Sequence, residues 1–131
     1  MSALDLFWEL ANADPSVRQG AANKLLSSLS EQDEEKKQKN LSYTLNRLIR
    51  GLASSRGCAR QGFAMALAQL LASTSDVKTE DVLELVSNQL SAASASQTTK
   101  HERRDLQMGR IFALLAIIRS QRLREMSSET I

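Results

Sequence analysis

At 131 residues, the chain is about one domain long and can bury a core without disulfides or metals. Hydrophobic residues make up 42% and charged residues 24%, with five glycines, one proline, 4% aromatics and a net charge of +2. This balance disfavours a turn-rich all-β fold and, with Leu and Ala ahead of Val and Ile, favours helix. One cysteine, Cys58, and one histidine, His101, exclude an internal disulfide and a Cys-cluster zinc site, fit a reducing compartment, and leave Ser-His or multi-His chemistry almost nothing to draw on.

Leu4, Phe7, Trp8 and Ala11 recur at the i, i+3, i+4, i+7 spacing of one helix face, which predicts a first helix with Phe7 and Trp8 in the core. Asn12 to Asp14 break it. Asp14-Pro15 opens a second helix, with Asp as N-cap and Pro at the first helical position. Val17, Ala21, Ala22, Leu25, Leu26 and Leu29 form its apolar stripe. A short helix, a turn and then Asp-Pro-x-Val-Arg-x-x-Ala is the order of a HEAT-type repeat. The charged stretch Ser30 to Asn40 reads as an exposed loop or as the solvated start of the next helix, with Glu35 and Lys39 an i,i+4 pair.

Leu41, Leu45, Leu48, Ile49 and Leu52 mark the third helix, and residues 53–57 a tight connection. Phe63, Ala66, Leu67, Leu70 and Leu71 mark the fourth, whose Ala59, Gly62, Ala64 and Ala68 permit close helix approach. Thr79 is placed to cap a fifth helix carried by Val82, Leu83, Val86 and Leu90, with Glu80 and Asp81 favouring its dipole. After a Ser/Ala/Gln linker from Ser91 to Thr98, Thr99-Lys-His-Glu102 has capping-box spacing and opens the sixth helix. Its stretch Ile111 to Ile118 is apolar all round, so burial on more than one side is expected.

These elements predict an all-α fold of about six helices, antiparallel pairs stacked as an ARM/HEAT-like repeat array over residues 1–126, with 127–131 a flexible tail. Terminal repeats normally carry a polar outer face. Here the most apolar helix comes last. The chain therefore reads as the N-terminal piece of a longer solenoid, or as one whose end another subunit covers. The opening, Met1 to Glu9, has acids within its apolar stretch and no basic leader, so it is no secretory signal. The longest apolar run, Ile111 to Ile118, falls well short of the roughly 20 residues of a membrane helix. An intracellular, soluble chain with no membrane partner is expected.

Charge is blocked along the chain. Residues 1–35 hold seven acids and two bases, 36–75 seven bases and no acid, 76–99 four acids and one base, and 100–131 seven bases and four acids. Within the basic block, Arg47 and Arg50 are i,i+3 neighbours at a helix end, and Arg56 and Arg60 are i,i+4 at the next helix start. Two readings stand side by side. The arginines form a contact patch for nucleic acid or an acidic partner, or they pair with the acids of residues 1–35 and 76–99. Arg56 and Arg60 also face an unfavourable helix dipole that a carboxylate or phosphate would relieve. Lys100, Arg103, Arg104 and Arg110 either extend the patch or form a solvated face with Glu102 and Asp105. His101 reads as a surface residue and Cys58 as a small packing residue.

The run Tyr43-Thr-Leu-Asn-Arg-Leu-Ile-Arg-Gly-Leu-Ala-Ser-Ser-Arg56, then Ala59-Arg60, Gly62-Phe63 and Ala66-Leu-Ala-Gln-Leu-Leu71, strongly resembles the Myb-binding protein 1A family, whose yeast-type members are called DNA polymerase V or polymerase phi. Gly109-Arg-Ile-Phe112 resembles the family's next helix, while Cys58 and Gln61 depart from its pattern. The resemblance implies a nuclear, nucleolar protein of helical repeats, much longer than this chain, acting in rRNA gene transcription and ribosome production. It implies transcription regulators or ribosome-biogenesis proteins as partners.

The polymerase name implies nucleotidyl transfer, which needs two close carboxylates to hold two metal ions. The acid-free span 36–75 supplies none, so no catalytic residue, metal or cofactor is assigned. The expectation is a non-catalytic scaffold or regulator working through helical-repeat surfaces. The alternative is direct rDNA or RNA binding by the basic block 36–75, which a steep salt dependence would distinguish.

Overall fold

Six helices follow one another in the structure, a computed structural model that describes residues 3–91 and 100–121. They are α1 (Ala3–Leu10), α2 (Pro15–Ser30), α3 (Glu34–Gly51), α4 (Gly57–Ser73), α5 (Thr79–Gln89) and α6 (Lys100–Arg119). No strand forms among the described residues. The Thr99 capping box, the linker beyond Ser91 and the tail 127–131 lie outside them.

Local chemistry sets the helix starts. The Asp14 carboxylate accepts the Ser16 hydroxyl at 2.8 Å and the Ser16 backbone N–H at 2.9 Å, with Pro15 opening α2. Asp33 accepts from the Lys36 N–H at 2.9 Å, so the charged stretch is helical from Glu34 onward and only residues 31–33 stand between α2 and α3. Glu35 and Lys39 form no ion pair among the described residues; Lys37 instead reaches Asp76 at 3.7 Å. Thr79 does not cap α5. Lys78 holds that position without a side-chain bond, and Thr79 is the first helical residue, drawn into the core by packing.

α4 is the centre of the array and touches α1, α2, α3 and α6. It buries residues around most of its circumference, among them Ala59, Phe63, Ala66, Leu67, Leu70 and Leu71. A β-carbon at Gly62 would collide with the Leu10 carbonyl oxygen, so this glycine lets the end of α1 rest directly on α4. Gly109 does the same for α6, where a β-carbon would stand 2.9 Å from the Leu52 carbonyl oxygen. Leu10, Leu48, Ile49, Leu52 and Leu67 are fully enclosed, each contributing about 1.5–3 kcal/mol of burial before entropy is subtracted.

α1 pairs with α2 and α3 with α4. The third pair is looser: α6 leans on α4 and α5 on α3 more than on each other. Helices stacked in this way form an all-α, helical-repeat-like array. Two burial expectations are corrected. Phe7 is 2% exposed but Trp8 is 70% exposed. On a helical wheel Leu6, Phe7 and Leu10 share one side, and Trp8 lies about 150° from its centre. α6 is buried on one side only, through Gly109, Ala113, Ala116 and Ile117. Ile111, Leu114, Leu115 and Ile118 on its outer side are 42–54% exposed, because no further element of the described residues covers them. None of the described helices is long and apolar enough to cross a membrane.

Candidate functional site

The last turns of α3, the connection 52–56 and the start of α4 meet the C-terminal half of α1. There a groove of about 380 Å³ opens. Phe7, Ala11, Ala59 and Phe63 form its apolar floor, and Trp8, Arg47, Arg50 and Arg56 stand around it. α1 reaches this place because its Leu6, Phe7 and Leu10 are locked into the core, which leaves Trp8 on the opposite, open side.

Each arginine has its own setting. Arg47 lies over Phe7, its guanidinium carbon 5.5 Å from the ring centroid, and its Nε is buried without a partner. Phe7 in turn meets Tyr43 edge-on at 6.1 Å. Arg56 donates from Nη2 to the Ala11 carbonyl at 3.3 Å, and the Cys58 thiol donates to the same oxygen at 3.4 Å. That carbonyl closes the C-terminal end of α1, where the helix dipole is negative. It supplies the relief that the dipole of α4 demands for Arg56. The Arg50 side chain is exposed and forms no hydrogen bond or ion pair among the described residues.

Arg60 is turned away from the groove. Its Nη1 donates to the Ser54 carbonyl at 2.7 Å, and its guanidinium carbon sits 5.8 Å from the Phe112 centroid, toward α6. The structure thus gathers three of the four arginines. It also corrects the pairing with neighbouring acids, since among the described residues none of the four forms an ion pair. Aromatic rings and backbone carbonyls take up Arg47, Arg56 and Arg60 instead. On α6, Lys100, Arg103 and Arg104 are exposed and Arg110 is half-buried; none lines the groove. His101 is exposed and Cys58 half-buried, as a surface and a packing residue.

Trp8 is the site residue that the apolar periodicity misplaces. Leu6 and Leu10, which share the buried side with Phe7, carry the signal that places it: a face drawn through them leaves the indole outside. Among the described residues no group of three His, Cys, Asp or Glu side chains is placed to hold a metal ion.

Fold and groove together define an all-α, helical-repeat-like module with an arginine-rimmed surface hollow. The family model described as DNA polymerase phi matches residues 43–131, and the chain belongs to that family. It is 39% identical over 118 residues to the rDNA transcriptional regulator pol5 of Schizosaccharomyces pombe, covering 89% of this chain and 11% of that protein. It is 35% identical over 120 residues to Myb-binding protein 1A of Mus musculus, covering 92% of this chain and 8% of that one. The chain therefore spans about a tenth of the length of the curated relatives it matches. No solved structure matches it.

Proposed function

We propose that this chain is a non-catalytic part of a nuclear, nucleolar regulator of rDNA transcription, and that it works by holding a protein partner in the groove between α1 and the α3–α4 connection. The groove carries this reading: an apolar hollow with exposed Trp8 at its edge, and beside it Arg50, which has no ion pair among the described residues, is the composition of a protein-binding hot spot. The names of the relatives, rDNA transcriptional regulator and Myb-binding protein, support a regulatory role with transcription regulators or ribosome-biogenesis proteins as partners. They do not describe catalysts. The exposed apolar face of α6 belongs, in this reading, under further repeats of a longer ARM/HEAT-like chain or under another subunit.

A second reading, direct binding of rDNA or RNA, is favoured by one observation: Trp8 stands beside three arginines, and an exposed indole can stack a base. Both readings meet in one experiment. Cells carry the protein with Arg47, Arg50, Arg56 and Arg60 all changed to Gln, and precursor rRNA synthesis and nucleolar retention are measured, with helicity of the purified variant as control. A fall in either at unchanged helicity is expected. Unchanged output and retention would return the arginines to a purely structural role.

A further inference from the structure

Building on that reading, we infer that the groove's occupant is an acidic peptide segment carrying large apolar anchors, rather than a nucleic-acid backbone. Three observations lead there. The hollow, about 380 Å³, lies at the small end of the roughly 300–1,000 Å³ range of binding pockets. It has room for one or two side chains on the floor of Phe7, Ala11, Ala59 and Phe63. An apolar floor of this kind offers a sugar-phosphate chain nothing.

Second, the charge at the groove is uncompensated. Arg47, Arg50 and Arg56 converge on it without an ion pair among the described residues. Arg56 engages its Nη2 with the Ala11 carbonyl and the Cys58 sulfur and retains the donors on Nε and Nη1, and Arg50 has all five side-chain donors available. Guanidiniums arranged around an apolar hollow match carboxylates that flank an apolar side chain.

Third, the basic block does not form a continuous track. Lys36, Lys37 and Lys39 lie at the opposite end of α3, at least about 12 Å along the axis from Arg47, and Lys37 is paired with Asp76. A phosphate backbone read by counter-charge needs positive groups strung along its path. Here they are divided between the start of α3 and, at its far end, the last turns of α3 with the start of α4.

Trp8 is the chain's sole tryptophan, so its emission reports occupancy directly. The test uses the 131-residue chain and a fluorescein-labelled peptide of about 14 residues, Asp- and Glu-rich with Leu and Phe at i and i+4. Expected are saturable anisotropy and a blue-shifted Trp8 emission. Roughly tenfold weaker binding is expected for Arg50→Gln with Arg56→Gln, and for a peptide whose Leu and Phe are replaced by Ala. Lys24→Gln with Lys78→Gln, an equal charge change at exposed sites on α2 and before α5, leaves binding unchanged.

Absence of saturable binding overturns the inference, as does equal binding of the Ala-substituted peptide. So does a single-stranded oligouridylate of equal charge that displaces the acidic peptide. The outcomes separate this inference from the functional reading beneath it. A fall in rRNA output without peptide binding removes the acidic occupant and keeps the module. Peptide binding with undisturbed rRNA output removes the module's role and keeps the chemistry of the groove.

Discussion

Arg47 lays its guanidinium over the Phe7 ring at 5.5 Å while its Nε is buried with no hydrogen-bond partner. The stem therefore packs, and the head carries an unsatisfied donor. Removing only the head should be inexpensive, because an unpaired buried N–H is already a liability. We expect Arg47→Met to change unfolding free energy by less than about 1 kcal/mol and Arg47→Ala, which uncovers Phe7, to lower it by about 1–2 kcal/mol. Chemical denaturation of both variants checks this. If Met proves as damaging as Ala, the guanidinium itself holds the α1–α3 contact.

Gly62 and Gly20 should respond oppositely to the same substitution. A methyl at Gly62 runs into the Leu10 carbonyl, a backbone atom that cannot swing away. A methyl at Gly20, inside α2, meets nothing within 4 Å. Gly62→Ala should lower stability by about 3 kcal/mol as α1 is pushed off α4. Gly20→Ala should raise it by about 0.5–1 kcal/mol through helix propensity alone. Thermal unfolding followed at 222 nm reads both. A mild effect at Gly62 would mean that α1 is held loosely, and the groove with it.

The pattern of success in the sequence follows from what periodicity encodes. The stripe Leu41, Leu45, Leu48, Ile49 and Leu52 is buried throughout, because a clean 3.6-residue spacing inside a central helix leaves one solution. Asp14-Pro15 starts α2 as its chemistry dictates. Periodicity names an apolar face but not what covers it, and so the outer side of α6 is exposed where its composition promised burial. The i,i+3 pair Arg47 and Arg50 was legible from spacing, whereas the i,i+4 pair Arg56 and Arg60 is split between the groove and α6. That Trp8 joins the arginine cluster and Arg60 leaves it depends on α1 crossing to a connection some forty residues away, and on Phe112 drawing Arg60 toward α6. Neither long-range contact has a local signature.

The cap at Asp14 makes a pH-dependent prediction. The Ser16 hydroxyl and then the Ser16 backbone N–H hold the Asp14 carboxyl below its ordinary 3.8. A lowered folded-state pKa stabilises the fold above the unfolded value, and that contribution is lost as pH falls through the folded one. Asp14→Ala should therefore lower the melting temperature at neutral pH, and its deficit should shrink as pH falls below 3.8. Asp14→Asn, which caps without ionising, should start from a smaller deficit and change by the same increment over that window, because the pH dependence belongs to the wild-type carboxyl. Melting curves across that window decide it: a deficit independent of pH would show that the ionised carboxylate adds nothing to the cap.

Ile111, Leu114, Leu115 and Ile118 repeat at i, i+3, i+4 and i+7 on the open side of α6, the spacing of a helix-packing seam. In the 131-residue chain these side chains are about half exposed, so Leu114→Ser with Ile118→Ser should alter stability by less than about 1 kcal/mol. Self-association of the chain, read by sedimentation, should fall with the loss of the apolar patch. In a longer chain where further repeats cover this seam, the same two changes leave polar groups and cavities in a packed interface. There they should cost about 3 kcal/mol or more. The contrast between the two chains is the test, because surface hydrophobicity alone predicts the same small effect in both. Equal, small effects would show that the solenoid does not continue across α6, and that its exposed face serves an outside partner instead.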